Sequence, residues 1–134
     1  MTLTVHIPGR PVAQARARTG GGHFYDPAES SDWKRSVSLI ASAKYRRDPL
    51  TGLVVLHIVC RFTPPKSLPV KVRRMVEIGA MVPARTNIDT DNLAKAVMDA
   101  LTGVLYGNDH QVWWLSVRKI YGEPGVTITV ESDE

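Results

Sequence analysis

With 134 residues, 43% of them apolar and 22% charged, the chain has the length and composition of one globular domain, 1–134, with its own core. That balance excludes collagen-like, coiled-coil and disordered classes, and no apolar run approaches the ~20 residues of a membrane span. A lone cysteine, Cys60, excludes an internal disulfide and a cysteine-built zinc site. The opening residues lack a basic region followed by an apolar stretch, so no signal peptide is expected, and the expected location is a reducing cytoplasm.

The net charge of +4 hides an asymmetry. Residues 1–85 hold 14 basic and 5 acidic side chains, whereas residues 86–134 hold 3 basic and 8 acidic ones. A basic majority beside an acidic minority suits a polyanionic partner together with a local site that wants carboxylates. Plain solubility explains a net charge of this size equally well.

In chain order, Thr2 to Pro8 alternates, with Leu3, Val5 and Ile7 on one face, and reads as a half-buried strand. Arg10 to Arg18 is polar and basic, and Gly20-Gly21-Gly22 forces a turn before His23-Phe24-Tyr25 returns as a short strand. Ser30 or Ser31 can cap a helix whose face is Trp33, Val37, Ile40, Ala41 and Lys44, running to about Arg47. Leu53 to Phe62 reads as a central strand, with Val54, Leu56, Ile58, Cys60 and Phe62 forming one wholly apolar face. Residues 66–86 carry Lys66, Lys71, Arg73, Arg74 and Arg85 without a firm period, which predicts an exposed basic loop with one helical turn at most. Asp91 to Thr102 reads as a helix, with Ala94, Val97, Met98 and Leu101 on one face and Gly103 closing it. Gly107-Asn108-Asp109 is a turn. Gln111 to Tyr121 and the stretch around Val126, Ile128 and Val130 are strands joined by a short turn, hence antiparallel. The predicted fold is α+β, a mixed or antiparallel sheet with two main helices packed on it.

Three features carry chemistry. Asp89-Thr90-Asp91 lies where a loop enters the helix; in extended backbone, residues i and i+2 point the same way. Two carboxylates that close repel unless a cation lies between them, and oxygen-only ligands suit Mg²⁺. The structural alternative is a helix cap with an acid in the first turn. Asp91, Lys95 and Asp99 follow at i, i+4 and i+8. They read either as a solvated stripe of ion pairs or as a lysine one turn from the carboxylates, placed to meet a phosphate. Asp109 is a turn former on its own and becomes a third ligand only if the fold returns it beside Asp91. His110 is a further candidate, while His57 in the central strand reads as a satisfied core histidine. Arg16 and Arg18 alternate beside the glycine tip, suited to a phosphate backbone. Of Trp113 and Trp114, one ring is expected in the core and the other at a dimer contact or stacking surface.

The stretch Asn87-Ile88-Asp89-Thr90-Asp91-Asn92-Leu93-Ala94-Lys95 through Asp99-Ala100-Leu101-Thr102-Gly103 resembles the central motif of the RusA-type Holliday junction resolvases. That motif reads roughly P-D-x-D-N-L-x-K-x-x-x-D-A-L-x-G. Asn108-Asp109-His110-Gln111 stands where that family has an acidic turn of the D-D-x-Q kind. Gly9-Arg10-Pro11 through Arg18, and then Tyr25-Asp26-Pro27, resemble its K-x-R-P-R and Y-x-P segments, and Pro64-Pro65-Lys66-Ser67 with the basic loop also stands where expected. The likeness covers about residues 5–130. Asn87, Asn108, Gln14 and Ala17 depart from the pattern.

The resemblance implies a RusA-like domain and a homodimeric, Mg²⁺-dependent endodeoxyribonuclease of phage or prophage type, with Mn²⁺ as a substitute metal. It nicks two strands of a four-way DNA junction symmetrically. Asp89, Asp91 and Asp109 match the family's metal-binding catalytic aspartates, and Lys95 its essential lysine. Arg16, Arg18, Lys71, Arg73 and Arg74 are the expected DNA-binding groups. No membrane or small-molecule cofactor is expected. A non-catalytic DNA-binding module and a nuclease for branched DNA in general are the alternatives, the first favoured by Asn108.

Overall fold

In a computed structural model of the chain, residues 1–15, 18–20, 23–25 and 28–134 are described, with side chains at 1–15 and 28–134. The expected position of Arg16, and the side chain of Arg18, lie outside the described residues. Backbone strands β2 (Arg18–Gly20) and β3 (His23–Tyr25) pair antiparallel.

The main sheet is mixed and four-stranded, in the order β1 (Thr2–Pro8), β6 (Gly125–Ser132), β4 (Val54–Phe62), β5 (Val112–Tyr121). Strand β4 is central, and its burial alternates without a break along nine residues. Val54, Leu56, Ile58 and Cys60 are fully buried and Phe62 nearly so. Removing each such side chain from water contributes about 1.5–3 kcal/mol, so the pleat phase of β4 fixes which sheet face is the core. The Cys60 thiol is pushed up to about 12 by burial, outweighing the opposing pull of Arg61 and Lys119; it stays protonated and unreactive at neutral pH.

The last two strands run antiparallel as expected, but they are not neighbours. Strand β5 pairs parallel to β4 on one side and β6 pairs antiparallel to β4 on the other. The short connection therefore crosses the end of β4 instead of forming a hairpin, with the Gly122 N–H donating to the Phe62 carbonyl. Glycine is needed at Gly125, where a Cβ would lie 2.9 Å from the Arg61 guanidinium and 3.0 Å from the Ile7 carbonyl oxygen. A two-sided apolar β4 can accept a partner on both edges, and alternation within β5 and β6 says nothing about which neighbour each will take.

Helices α1 (Ala28–Lys44) and α3 (Thr90–Leu101) pack against each other. The core-facing side of α3 is Leu93, Ala94, Ala96, Val97, Ala100 and Leu101, broader than the expected stripe, and α1 buries Val37 and Ala41. The Ser38 hydroxyl donates to the Ala100 carbonyl at 2.6 Å, tying the two helices.

The stretch 66–86 corrects the expectation of a loop: Val70–Glu77 forms α2, two turns long. Eight residues are too few to hold a helix unaided. Arg73 supplies the support, its guanidinium donating to the carbonyls of Lys66 at 2.5 Å, Pro65 at 3.4 Å and Leu68 at 3.5 Å. Beyond α2, residues 82–84 run along the outer edge of β5. The Ala84 N–H donates to the Lys119 carbonyl and the Tyr121 N–H to the Val82 carbonyl.

The sheet face opposite the core is partly open. His57 lies there, not in the core, with its Nδ1 2.6 Å from the Ser116 hydroxyl and its ring edge-on to Trp114. Among the described residues no helix is long and apolar enough to cross a membrane.

Candidate active site at the start of helix α3

Asp89 sits in extended backbone (φ −69°, ψ 132°) at the N-cap of α3, yet its side chain makes no capping hydrogen bond. Among the described residues its carboxylate has one hydrogen-bond partner, the Asn92 amide at 3.4 Å. Asp91 lies in the first turn, and Asp89, Thr90 and Asp91 are all exposed. The structure thus places two carboxylates beside the positive end of the α3 dipole, in water and not consumed by the helix.

Two further segments converge on this end, the N-terminal arm and strand β5. The Gln14 N–H donates to the Asn92 carbonyl at 2.8 Å, so the N-terminal arm crosses the first turn of α3. A cavity of about 290 Å³ opens there, lined by Gln14, Ala15, Asn92 and Lys95. Lys95 is exposed one turn along from Asp91 and makes no ion pair among the described residues. Lys119 reaches from β5 to donate to the Ile88 carbonyl at 2.7 Å, fixing the residue before Asp89. Sequence reading missed Lys119. Its signal was a lysine in the inward phase of a strand, between Val117 and Tyr121.

Asp109 is elsewhere. It opens a short 3-10 turn, Asp109–Gln111, ahead of β5. The turn is clamped by Gln111, whose amide donates to the Leu50 and Gly52 carbonyls while its oxygen accepts from the Gly107 and Asn108 N–H groups, at 2.8–2.9 Å. Asp109 is close enough to Tyr106 to help raise its hydroxyl pKa, chiefly a result of burial. That same hydroxyl donates to the Met98 carbonyl in the last turn of α3. At about 1.5 Å rise per residue, the turns bearing Asp91 and Asp99 lie roughly 12 Å apart along the axis, and Asp109 belongs to the Asp99 end. Among the described residues no three His, Cys, Asp or Glu side chains converge to hold a metal ion. The structure therefore brings Asp89, Asp91 and Lys95 together and leaves Asp109 at the opposite end of the helix within one subunit.

The stripe Asp91, Lys95, Asp99 is exposed as expected, and Asp99 lies 3.8 Å from Lys34 of α1. Of the basic groups, Lys71 and Arg74 are exposed on α2, whereas Arg73 is occupied by the carbonyls before that helix. Asn108, in place of an acid, accepts from the His110 N–H in a reciprocal cap with Gln111.

The sequence model of the family Endodeoxyribonuclease RusA matches residues 8–131. The chain belongs to the RusA family. It is also 37% identical, over 131 residues and 92% of each chain, to a Bacillus subtilis (strain 168) protein described as the uncharacterized protein YqaN. RusA membership carries endodeoxyribonuclease activity of the Holliday-junction-resolving class and binding of branched DNA.

Proposed function

We propose that this RusA protein is a divalent-metal-dependent resolvase that nicks two strands of a four-way junction in a paired, symmetric way, acting as a homodimer. The observation that carries the reading is the uncapped Asp89/Asp91 pair, with the N-terminal arm hydrogen-bonded across the same helical turn. The donor set fits a hard cation. Mg²⁺ takes one or two carboxylates and completes its shell with water and phosphate, and both carboxylates here are exposed and extended from the helix start. Mn²⁺ suits the same oxygens.

Asp89 and Asp91 would hold the ion, while Asp109, at the far end of α3, stands apart from this pair within one subunit. When bound, the metal lowers the pKa of water and polarises the scissile phosphate. Lys95 meets the charge that builds on the phosphate oxygens. Lys119 keeps Asp89 in place through Ile88. Arg16 and Arg18, which follow Gln14 in the sequence, are the DNA-backbone contacts of this reading, and Lys71 and Arg74 on α2 supply further phosphate contacts. Arg73 contributes by holding α2 in shape.

The test is a labelled synthetic four-way junction incubated with the protein and Mg²⁺. Wild type gives paired nicks, and Asp91→Asn abolishes them, a loss of at least about a thousandfold, while retaining junction binding. Equal cleavage by the variant overturns the assignment. Asn108, spent on its cap, favours one second reading, a branched-DNA binder without cleavage; that reading predicts steeply salt-dependent binding and no Mg²⁺-dependent product.

A further inference from the structure

A second cavity of about 290 Å³ opens further back along the N-terminal arm, lined by Arg10, Phe62, Thr63, Thr86 and Pro124. Gly9, at φ +90°, turns the chain out of β1 and sends Arg10 to this cavity, a backbone conformation suited to glycine. Phe62, 6% exposed, and Pro124 give it apolar walls. The polar lining comes from Arg10, Thr63 and Thr86. The Thr86 hydroxyl oxygen accepts from the Ile88 N–H at 3.2 Å, which leaves its own proton to donate. Arg10 is exposed and makes no ion pair among the described residues. A bare phosphate gains nothing from an aromatic wall, whereas a nucleobase brings a flat apolar face and a polar edge. The volume stands at the small end of ligand clefts, ~300–1,000 Å³, which suits one base. Thr86 lies three residues before Asp89. Extended backbone spans at most about 3.6 Å per residue, so the two lie within roughly 11 Å. That is a reach of about three nucleotides at ~3.4 Å per step of one strand. The arm that carries Arg10 is itself tied to the first turn of α3 through the Gln14 N–H.

We propose that this cavity takes one unstacked base of the junction close to the cut, and that Arg10 is a specificity-determining residue that reads it. The inference rests on the resolvase reading and names a further part of the substrate that the site holds. A guanidinium offers donors only, and the Thr86 hydroxyl, its oxygen already engaged by Ile88, adds another. Donors converging on one edge select a base with two adjacent acceptors. Guanine has them at O6 and N7, and unpaired cytosine at O2 and N3. Adenine and thymine set a donor beside the acceptor on their pairing edges, so a donor of the cavity would face a donor of the base and stay unpaired. At a four-way crossover the continuous stack is already interrupted, so a base leaves it at lower cost than inside a duplex. Seating that base holds the neighbouring phosphate in register with Asp89 and Asp91.

The test uses synthetic junctions with identical arms, in which each base pair within about three nucleotides of the crossover is varied in turn. Wild type with Mg²⁺ should favour guanine or cytosine over adenine and thymine at one position, by about tenfold or more. In Arg10→Met that preference should fall to within about twofold, because the favoured base slows to the rate of the others. Lys71→Met, which removes a phosphate contact, should slow all the junctions alike. Equal cutting of all four bases by wild type, or an unchanged preference in Arg10→Met, overturns the inference. A readout independent of cutting uses Asp91→Asn bound to the same junctions. Protection of one guanine N7 from dimethyl sulfate identifies guanine as the seated base. A rise in the fluorescence of pyrrolocytosine at that position identifies cytosine. Either signal should vanish when Arg10→Met is added to Asp91→Asn. Absence of both signals in the bound complex overturns the seated base. If wild type leaves every junction uncut but the Arg10-dependent signal is present, the resolvase reading falls and the base pocket stands.

Discussion

At the start of α3 the polar groups stand unspent: Asp89 and Asp91 are exposed, Asp89 caps nothing, and Lys95 has no ionic partner among the described residues. At its far end nearly every polar group is committed. Gln111 makes four hydrogen bonds, Asn108 caps the turn, and the Tyr106 hydroxyl is bonded to Met98. One helix thus separates a region that keeps charge available for a ligand from a region that uses polarity to hold backbone. The second region still presents Asp109, exposed on a rigid turn. The difference shows that an acidic residue in this fold is judged by what its neighbours are spent on, more than by its own type.

The largest expected effect on stability lies at the committed end. Gln111→Met keeps the volume and removes all four hydrogen bonds, leaving the Leu50 and Gly52 carbonyls to find other partners. A loss of about 3 kcal/mol in urea unfolding is expected, since a stranded buried polar group costs roughly 1–3 kcal/mol. A change below about 1 kcal/mol would mean the turn is not clamped and would erase the contrast between the two ends.

A smaller stability effect with a larger effect on activity is expected at the open end. Lys119→Met removes the bond to the Ile88 carbonyl. The thermal midpoint should fall by the equivalent of only about 1–2 kcal/mol. Junction cleavage should drop by about tenfold or more, because a shift of about 1 Å in a ligand is expensive. Loss of fold in parallel with activity would place Lys119 among the structural groups and blur the comparison.

Much of this was legible in the residues. The strand β4 and the core face of α3 followed from apolar period, because burial on one face is a local property of side-chain order. The D-x-D and Lys95 cluster was legible because it is contiguous. What period could not supply was adjacency. Nothing in β5 or β6 states that β4 lies between them, and nothing in Asp109 states which end of α3 it adjoins. Helix α2 escaped because its apolar stripe, Val72, Met75 and Val76, is only one turn long and none of it is fully buried, and the rest of its support comes from Arg73 reaching back to carbonyls. His57 was misread as core because β4 is apolar on both faces while only one face is covered.

The smallest expected effect concerns the chain's last residue, which belongs to the committed end. The Glu134 carboxylate accepts from the Gly52 and Thr51 N–H groups and from the Thr51 hydroxyl, the first at 2.8 Å. The Gly52 and then the Thr51 amide bonds hold its pKa below the ordinary 4.5. A depressed value in the folded state stabilises the fold above that ordinary pKa, and the contribution disappears as pH falls through the lowered one. The amide resonances of Thr51 and Gly52 should therefore stay constant from neutral pH down to about 4.5 and move together below it. In Glu134→Gln that movement should vanish, with junction cleavage unchanged. Because the same Gly52 also offers its carbonyl to Gln111, a titration that reaches the Gln111 amide as well would show that this end of the molecule responds to acid as one unit, while the Asp89 end does not.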